Sequence, residues 1–504
     1  MNRRERGLRS ILLAGVTLWT ASGGLAAAAT DSAQQKIDAL QQQIQDLSAQ
    51  IDDLKRSTAA QYADSQRREA EKAAATKSAN DAVKVSIDNG RPTIASSDGQ
   101  FSASLRALVQ FDSAYYMQGH AARTLPAASG PDLSSGANFR RVYLGLQGKV
   151  FGDWAYNVNF DFGGSNGTEQ GGRIQSAYLE YDGLAPWAFR MGAYPVPAGL
   201  EDSTSPQDTI FLERTAPSDV VRNTAAGDGR DAATLIYAGD RVFGALSWTG
   251  GKVGDGAAFD EQSALVGKLA GLVVSESDAK LVVSTEGTWL FKAADTTALN
   301  NSTTSLTLSA APELTVDSTG TKLVTTGALS ADSAREWGLE TGGYWHNLFA
   351  QGGYFGYEVK QRVTAPALPK PDLNFYGWYA EATWIITGES RGWNPATGAF
   401  TPPRPKHDFV MDRDGWGAWE LAERFSELDL NDLSGASGLV TPYGGARGGK
   451  QQIYTGAINW YPNPAIKFSL DYQYFNIGRL NAAAPYTSVG QKAQAVSLRA
   501  QLSL

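Results

Sequence analysis

Cysteine is missing from this 504-residue chain, and histidine and methionine are scarce, at three and four residues. Without thiols there is no disulfide, no thiol nucleophile and no cysteine metal site. The histidines, His120, His346 and His407, stand far apart and offer no zinc-type spacing. No G-x-S-x-G elbow for a serine nucleophile occurs. Also absent, after the first residues, is any apolar run near the roughly 18 residues that a membrane-spanning helix needs. A basic surplus is lacking too: the formal net charge is −8, which weighs against nucleic acid as a partner. Nothing here points to an enzyme, and no cofactor is implied.

What the chain does have is glycine, at 54 residues, and 20 Tyr, 19 Phe and 13 Trp. That mixture suits many strands with an aromatic face and tight turns. The first segment reads as an export signal over residues 1–28. Arg3, Arg4, Arg6 and Arg9 form its basic head, Ile11 to Trp19 its apolar core, and small residues lead to a cleavage point near Ala28. Removing those four arginines with Glu5 would leave −11.

Residues 31–57 carry a heptad stripe: Ile37, Leu40, Ile44, Leu47, Ile51 and Leu54 alternate in steps of three and four. Two readings fit, a short periplasmic coiled coil offering a contact there or one amphipathic helix lying on its own domain. Residues 58–82, rich in Ala, Gln and charge, read as a frayed helical linker.

From Val83 onward the period changes to two. Segments of about ten alternating residues recur to Leu504, and sixteen can be counted, so residues 83–504 are expected to form an all-β, antiparallel transmembrane barrel. Short turns near 151–153, 182–184, 239–240 and 461–464 alternate with longer connections near 117–137, 195–230, 289–334, 428–450 and 478–491. One connection breaks the rhythm: 387–413 falls where a short turn belongs, so either that turn carries an insertion or the count slips. On the segment from Ile466, Phe468, Leu470, Tyr472 and Tyr474 oppose Lys467, Ser469, Asp471 and Gln473. In an outer-membrane barrel the first set meets lipid and the second lines the lumen, while aromatics such as Trp187, Trp248, Trp345, Trp384, Trp460 and Tyr461 crowd the strand ends.

Six stretches, in order, resemble the phosphate-selective porin family of the O and P type. They are Phe139-Arg140-Arg141-Val142-Tyr143-Leu144-Gly145 with Gly152-Asp153-Trp154, Ala177-Tyr178-Leu179-Glu180-Tyr181, Phe211-Leu212-Glu213-Arg214, Gly388-Glu389-Ser390-Arg391, Gly417-Ala418-Trp419-Glu420-Leu421-Ala422 and Asn459-Trp460-Tyr461-Pro462-Asn463-Pro464. The resemblance implies an outer-membrane homotrimer of sixteen-stranded pores passing small anions such as phosphate, with a third loop, here 195–230, folded inward. It maps paired arginines onto Arg140 and Arg141, a tyrosine near the anion site onto Tyr143, and a first-strand lumenal arginine onto Arg106. Gln207 and Asp208 stand where the family places lysine in that loop, and Ser176 where an acidic residue is expected. These departures tell against strict phosphate specificity.

Strand parity, taken by itself, turns Arg106, Arg141, Lys149, Arg190, Arg424, Lys467 and Arg499 inward, together with Asp112, Asp161, Glu180, Glu336, Glu381, Glu420 and Asp471. Arg140 has the opposite parity and is expected to face a loop or a subunit contact. The arginines are either anion contacts or ordinary lumenal charges paired with neighbouring carboxylates. Arg214 and Arg222 are candidate lining groups of the third loop, which is either a constriction or an external lid. Three functions stay open: an anion-preferring porin, a general porin, and a barrel that anchors an interaction protein.

Overall fold

The computed structural model describes residues 29–80, 83–88, 90–119, 131–164, 171–254, 260–295, 304–363, 368–411 and 415–504. The expected export signal lies outside them. The chain divides into two compact units, residues 1–80 and 81–504.

The first unit is a helix, α1 (Ala29–Asn80). It corrects one expectation: residues 58–80 continue the helix instead of fraying. They hold no Gly or Pro and consist largely of strong helix formers. One-turn ion pairs such as Arg68–Asp64, at 2.9 Å, add a little. Within this unit the heptad stripe is uncovered, from Ile37 at 47% to Leu54 at 64% exposure.

The second unit is a closed antiparallel barrel. Its staves are β1 (Ser102–Gln118), β2 (Gly136–Val150), β3 (Trp154–Asp161), β4 (Arg173–Leu184), β5 (Trp187–Ala193), β6 (Arg230–Ala238), β7 (Val242–Lys252), β8 (Ser263–Ser275), β9 (Ala279–Lys292), β10 (Leu329–Trp345), β11 (Leu348–Gln361), β12 (Leu373–Ile385), β13 (Ala418–Asp432), β14 (Ala446–Asn463), β15 (Ile466–Gly478) and β16 (Gln491–Ser503). Each pairs with the next, and β16 returns to β1 with Ser497 opposite Ala114 and Arg499 opposite Asp112. Closure leaves no open edge, which the bilayer core requires because it offers backbone groups no water. A hairpin, Val83–Asp88 with Arg91–Ser96, joins β1 through Thr93–Ala95 and stays outside the sixteen.

The count of sixteen therefore stands, and the broken rhythm is an insertion. Residues 386–417 join β12 to β13 where the other described turns take two or three residues. The insertion folds into the barrel around a small ladder, Gly392–Asn394 with Ala399–Thr401. Phe400 is buried there against Phe349 and Trp393, and the Lys268 ammonium donates to the Gly398 carbonyl at 2.8 Å. The extended residues within 304–328 make only two-residue bridges and are not staves.

Burial is inverted relative to a water-soluble protein. On β15, Lys467, Ser469, Asp471 and Gln473 are buried, while Phe468, Leu470 and Tyr472 are 41–46% exposed. Adjacent residues on β8 show the same switch: Lys268 is buried and Leu269 is 55% exposed. Trp187, Trp248, Trp345 and Trp384 face outward, but Tyr461 faces the lumen and donates to Glu420 at 2.8 Å. An apolar exterior around a polar interior is what a lipid solvent selects. Leu269→Arg, at the middle of its stave, should therefore cost about 2–4 kcal/mol in lipid. Denaturant unfolding of barrels refolded into liposomes measures this, and an unchanged midpoint would contradict the assignment of that face to lipid.

Candidate functional site

The lumen is crossed by the connection 194–229 between β5 and β6. Wall residues from strands far apart around the barrel grip its backbone. Gln110 donates to the Pro206 carbonyl at 3.0 Å, Gln501 to Gln207 at 2.9 Å, Asn459 to Ile210 at 3.0 Å, and Lys467 to Thr209 at 2.6 Å. On the opposite wall, Glu286 accepts from the Gly199 amide, and Glu340 accepts from the Leu200 and Glu201 amides. A Cβ at 199 would run into both carboxylates, so a larger residue there would push these side-chain ends aside and break their bonds to the loop. A one-and-a-half-turn helix, α2 (Ala216–Val221), starts at Thr215, whose hydroxyl caps the Ser218 amide. It delivers Arg222 to the lumen. Residues within 304–328 also enter: Glu313 accepts from Arg424 at 2.6 Å and from the Ala216 amide at 2.8 Å.

The three larger lumenal cavities follow one another. The first, about 660 Å³, lies at the loop end and is lined by Arg140, Arg141, Arg173, Arg214, Arg222, Lys252 and Lys322, against Glu213, Asp219, Asp228 and Glu313. The second, about 220 Å³, shares Arg214 and Arg222 with it and adds Arg106, Tyr143 and Arg190, with Asp202 its one carboxylate. The third, about 520 Å³, shares Gln207 with the second, lies at the turn end and carries Arg91, Arg404 and Lys467 with Asp208. The lining side chains thus hold a cationic surplus in these three cavities, although the whole chain is acidic; a small fourth cavity, about 20 Å³, has the opposite balance, with Glu201, Asp208, Glu213 and Glu381 against Arg391 and Arg424. Asp208 is poorly solvated: burial pushes its carboxyl up to about 6, against the pull of Arg391 and Lys467.

Arg140 and Arg141 both reach the lumen. Neighbours on a regular strand face opposite sides, but β1 and β2 slip register here. Gln110 pairs with Arg141, Phe111 pairs with Phe139, and Arg140 is the unpaired bulge residue. Its guanidinium turns to the third loop and forks onto Glu213, at 2.6 and 3.1 Å. Arg141 donates to the same carboxylate at 3.2 Å and to Gln110 at 2.8 Å. A second bulge, on β4, turns both Gln175 and Ser176 inward. Gln175 holds Asp228 at 2.9 Å, and the Ser176 hydroxyl donates to Asn157 at 2.6 Å.

The remaining sites vary. Arg190 pairs with Glu180 at 2.6 Å and lies over the Tyr178 ring at 4.3 Å. Arg214 is spent within its own loop, donating to the Asp202 and Thr204 carbonyls at 3.1 and 2.5 Å. Burial and nearby Arg222 lower its pKa. Arg106 donates only to Gln147, at 3.1 Å, and has no carboxylate within ion-pair distance among the described residues. Tyr143 is buried in the wall of the middle cavity. Pairing with neighbours thus wins for most inward arginines: Arg499 binds Asp112, and Arg424 binds Glu313. Residue parity had no means of finding Arg91, Arg173 or Asp228, which belong to a hairpin, a strand end and a loop. Glu213 stood in a quoted motif, but its role as the partner of three arginines needs the loop's path. Burial alone would raise its carboxyl, yet Arg140, Arg141 and Arg499 hold it well below the usual range.

Sequence comparison places a family described as phosphate-selective porin O and P over residues 124–504. Porin O of Pseudomonas aeruginosa is 25% identical over 402 residues, covering 75% of this chain and 84% of that one. An uncharacterised protein of Caulobacter vibrioides is 30% identical over 160 residues, 31% of this chain and 28% of its own. Among solved structures, an anion-selective porin from Comamonas acidovorans aligns over 80% of this chain and all of its own, at 12% identity and a TM-score of 0.48. The channel DcaP of Acinetobacter baumannii aligns over 81% and 99%, at 14% identity and a TM-score of 0.44.

Arg391, 2% exposed, clasps Glu420, fully buried, through bonds of 2.8–3.0 Å and so pins the 386–417 insertion. Arg391→Leu leaves that carboxylate with only Tyr461, Asn459 and the nearby Lys467 and should cost about 2–3 kcal/mol. Denaturant titration of the folded barrel reads the loss, and a change below about 1 kcal/mol would show that the pair is not buried as described.

Proposed function

The chain belongs to the phosphate-selective porin O and P family, and from that premise we propose that it is an outer-membrane porin with a preference for small anions, oxyanions such as phosphate among them. The observation that carries this reading is the cationic surplus in three successive cavities of a chain whose net charge is −8. Guanidinium groups suit oxyanions because their planar fork donates two parallel bonds and stays charged at any working pH. Most of these groups are already paired with carboxylates. The preference is therefore modest, and passage relies on weak contacts that an ion can leave.

In this reading the loops face outward, the turns face the periplasm, and residues 1–28 direct export and are removed. The third loop narrows the pore, since its backbone lies across the lumen between cavities that share lining residues. Three copies form the working assembly. The uncovered stripe on α1 supports a coiled coil over residues 31–57 on the periplasmic side. A family member that passes phosphate without strict specificity is consistent with Gln207 and Asp208, in place of lysine, on the turn-side cavities.

The test is the reversal potential of a planar bilayer under a potassium chloride gradient. The wild type should show anion preference. Arg141→Ala should reduce the anion-to-cation permeability ratio roughly twofold to fivefold, the effect of about 1 kcal/mol from one unit charge a few ångströms away in a watery pore. An unchanged ratio would remove Arg141 from the path. Acidification gives a second test. Asp208 loses its charge as pH falls through about 6, so the turn-side cavity becomes more positive and anion preference should rise between pH 7 and pH 5. Asp208→Asn should show the low-pH ratio already at pH 7; if the variant keeps the wild-type pH dependence, another group is responsible.

A further inference from the structure

We propose that Glu213 is a tethered competitor for the solute. Its carboxylate occupies the oxyanion site built by Arg140, Arg141 and Arg499, so that a passing anion binds weakly and leaves quickly. This rests on the anion-preferring reading above and adds the residue that sets how tightly an anion is held.

The coordination is that of a bound anion. Arg140 reaches both carboxylate oxygens, at 2.6 and 3.1 Å. Arg141 adds a bond at 3.2 Å, Arg499 one at 3.4 Å, and the Thr315 hydroxyl one at 3.3 Å. Charge-assisted donors converging on paired oxygens would hold a free phosphate or carboxylate in the same way. The site adjoins the 660 Å³ outer cavity, whose lining includes Arg140, Arg141 and Glu213, so a solute arriving from the loop end meets it there.

The backbone that carries the occupant is anchored as well. The Leu212 amide donates to Asp471 at 3.0 Å, and the Leu212 carbonyl accepts from Arg499 at 2.7 Å. The Glu213 carbonyl accepts from Arg424 at 3.0 Å. The backbone is thus fixed from several strands, and the side chain is delivered to one point. A ligand tethered in this way acts at a high effective concentration, which a dissolved anion must overcome. Arg499 is also bound by Asp112, at 2.7 and 2.6 Å. Three guanidinium groups with Asp112 and Glu213 carry a net charge of +1, and neutralising Glu213 leaves +2. The first arrangement favours throughput, the second retention.

The experiment measures chloride current through the full protein in a planar bilayer while inorganic phosphate is titrated as a blocker, for wild type, Glu213→Gln and Glu213→Asp. Glutamine keeps the size and backbone anchors but removes the charge. The half-blocking phosphate concentration should fall at least roughly tenfold in Glu213→Gln, as the charge that competes with phosphate for these donors is gone and only a weakly held neutral amide remains. Glu213→Asp keeps the charge on a shorter arm that cannot span Arg140 and Arg141 together, so it should shift block in the same direction by less. That variant carries the test if glutamine prevents insertion. Unchanged block in the variants, with anion preference intact in the wild type, overturns the inference and leaves the functional reading standing. A wild type without anion preference overturns the functional reading itself.

Discussion

A guanidinium removed from bulk water must find acceptors, most often a carboxylate in this lumen, and the lumen is organised by that requirement. The third loop, the segment 304–328 and the turn insertion all contribute carboxylates or guanidinium groups that complete pairs with the wall: Glu213 with Arg140 and Arg141, Glu313 with Arg424, Arg391 with Glu420. Breaking such a pair leaves a buried charge uncompensated, which costs far more than losing a surface bridge. The pairs therefore decide where each inward segment lies. The cavities between those segments keep the charge that pairing does not neutralise.

The barrel makes this arrangement possible by separating two solvents. Its outer face presents Leu269, Phe468, Leu470 and Trp345 to lipid, and its closed ladder leaves no backbone edge uncovered. Every inward position is then free to be polar. Lys268, Glu336, Glu340, Asp471 and Arg499 would be severe liabilities in the core of a water-soluble sandwich, but here they line the side where water and loops can meet them. Fold and selectivity thus rest on a single alternation along each strand.

That alternation is why so much was legible in the sequence. Period-two segments and alternating connection lengths are local properties, and they sufficed for sixteen staves and for the inward placement of Arg141, Arg424, Lys467 and Arg499. The misreadings sit where a local rule is interrupted. A bulge cancels parity at Arg140, and of the two expectations for it, a loop or a subunit contact, the loop is the one met: its guanidinium reaches Glu213 inside the lumen. Tyr461 looked like an interfacial aromatic but turns in to meet Glu420. The insertion at 386–417 was visible as a break in rhythm, while its descent into the barrel depends on Phe349 and Lys268, contacts between residues far apart in sequence. Pairing partners were the least accessible, because the choice of carboxylate by an arginine is fixed by the path of a loop and not by spacing.

Conduction requires the three larger cavities to join into one watery path through the membrane. Single-channel recording of the purified protein in a planar bilayer tests it most directly. Discrete, stable current steps that grow in proportion to voltage at low potential are expected. A bilayer that stays silent at every voltage, although folded protein is shown to have inserted, would contradict it.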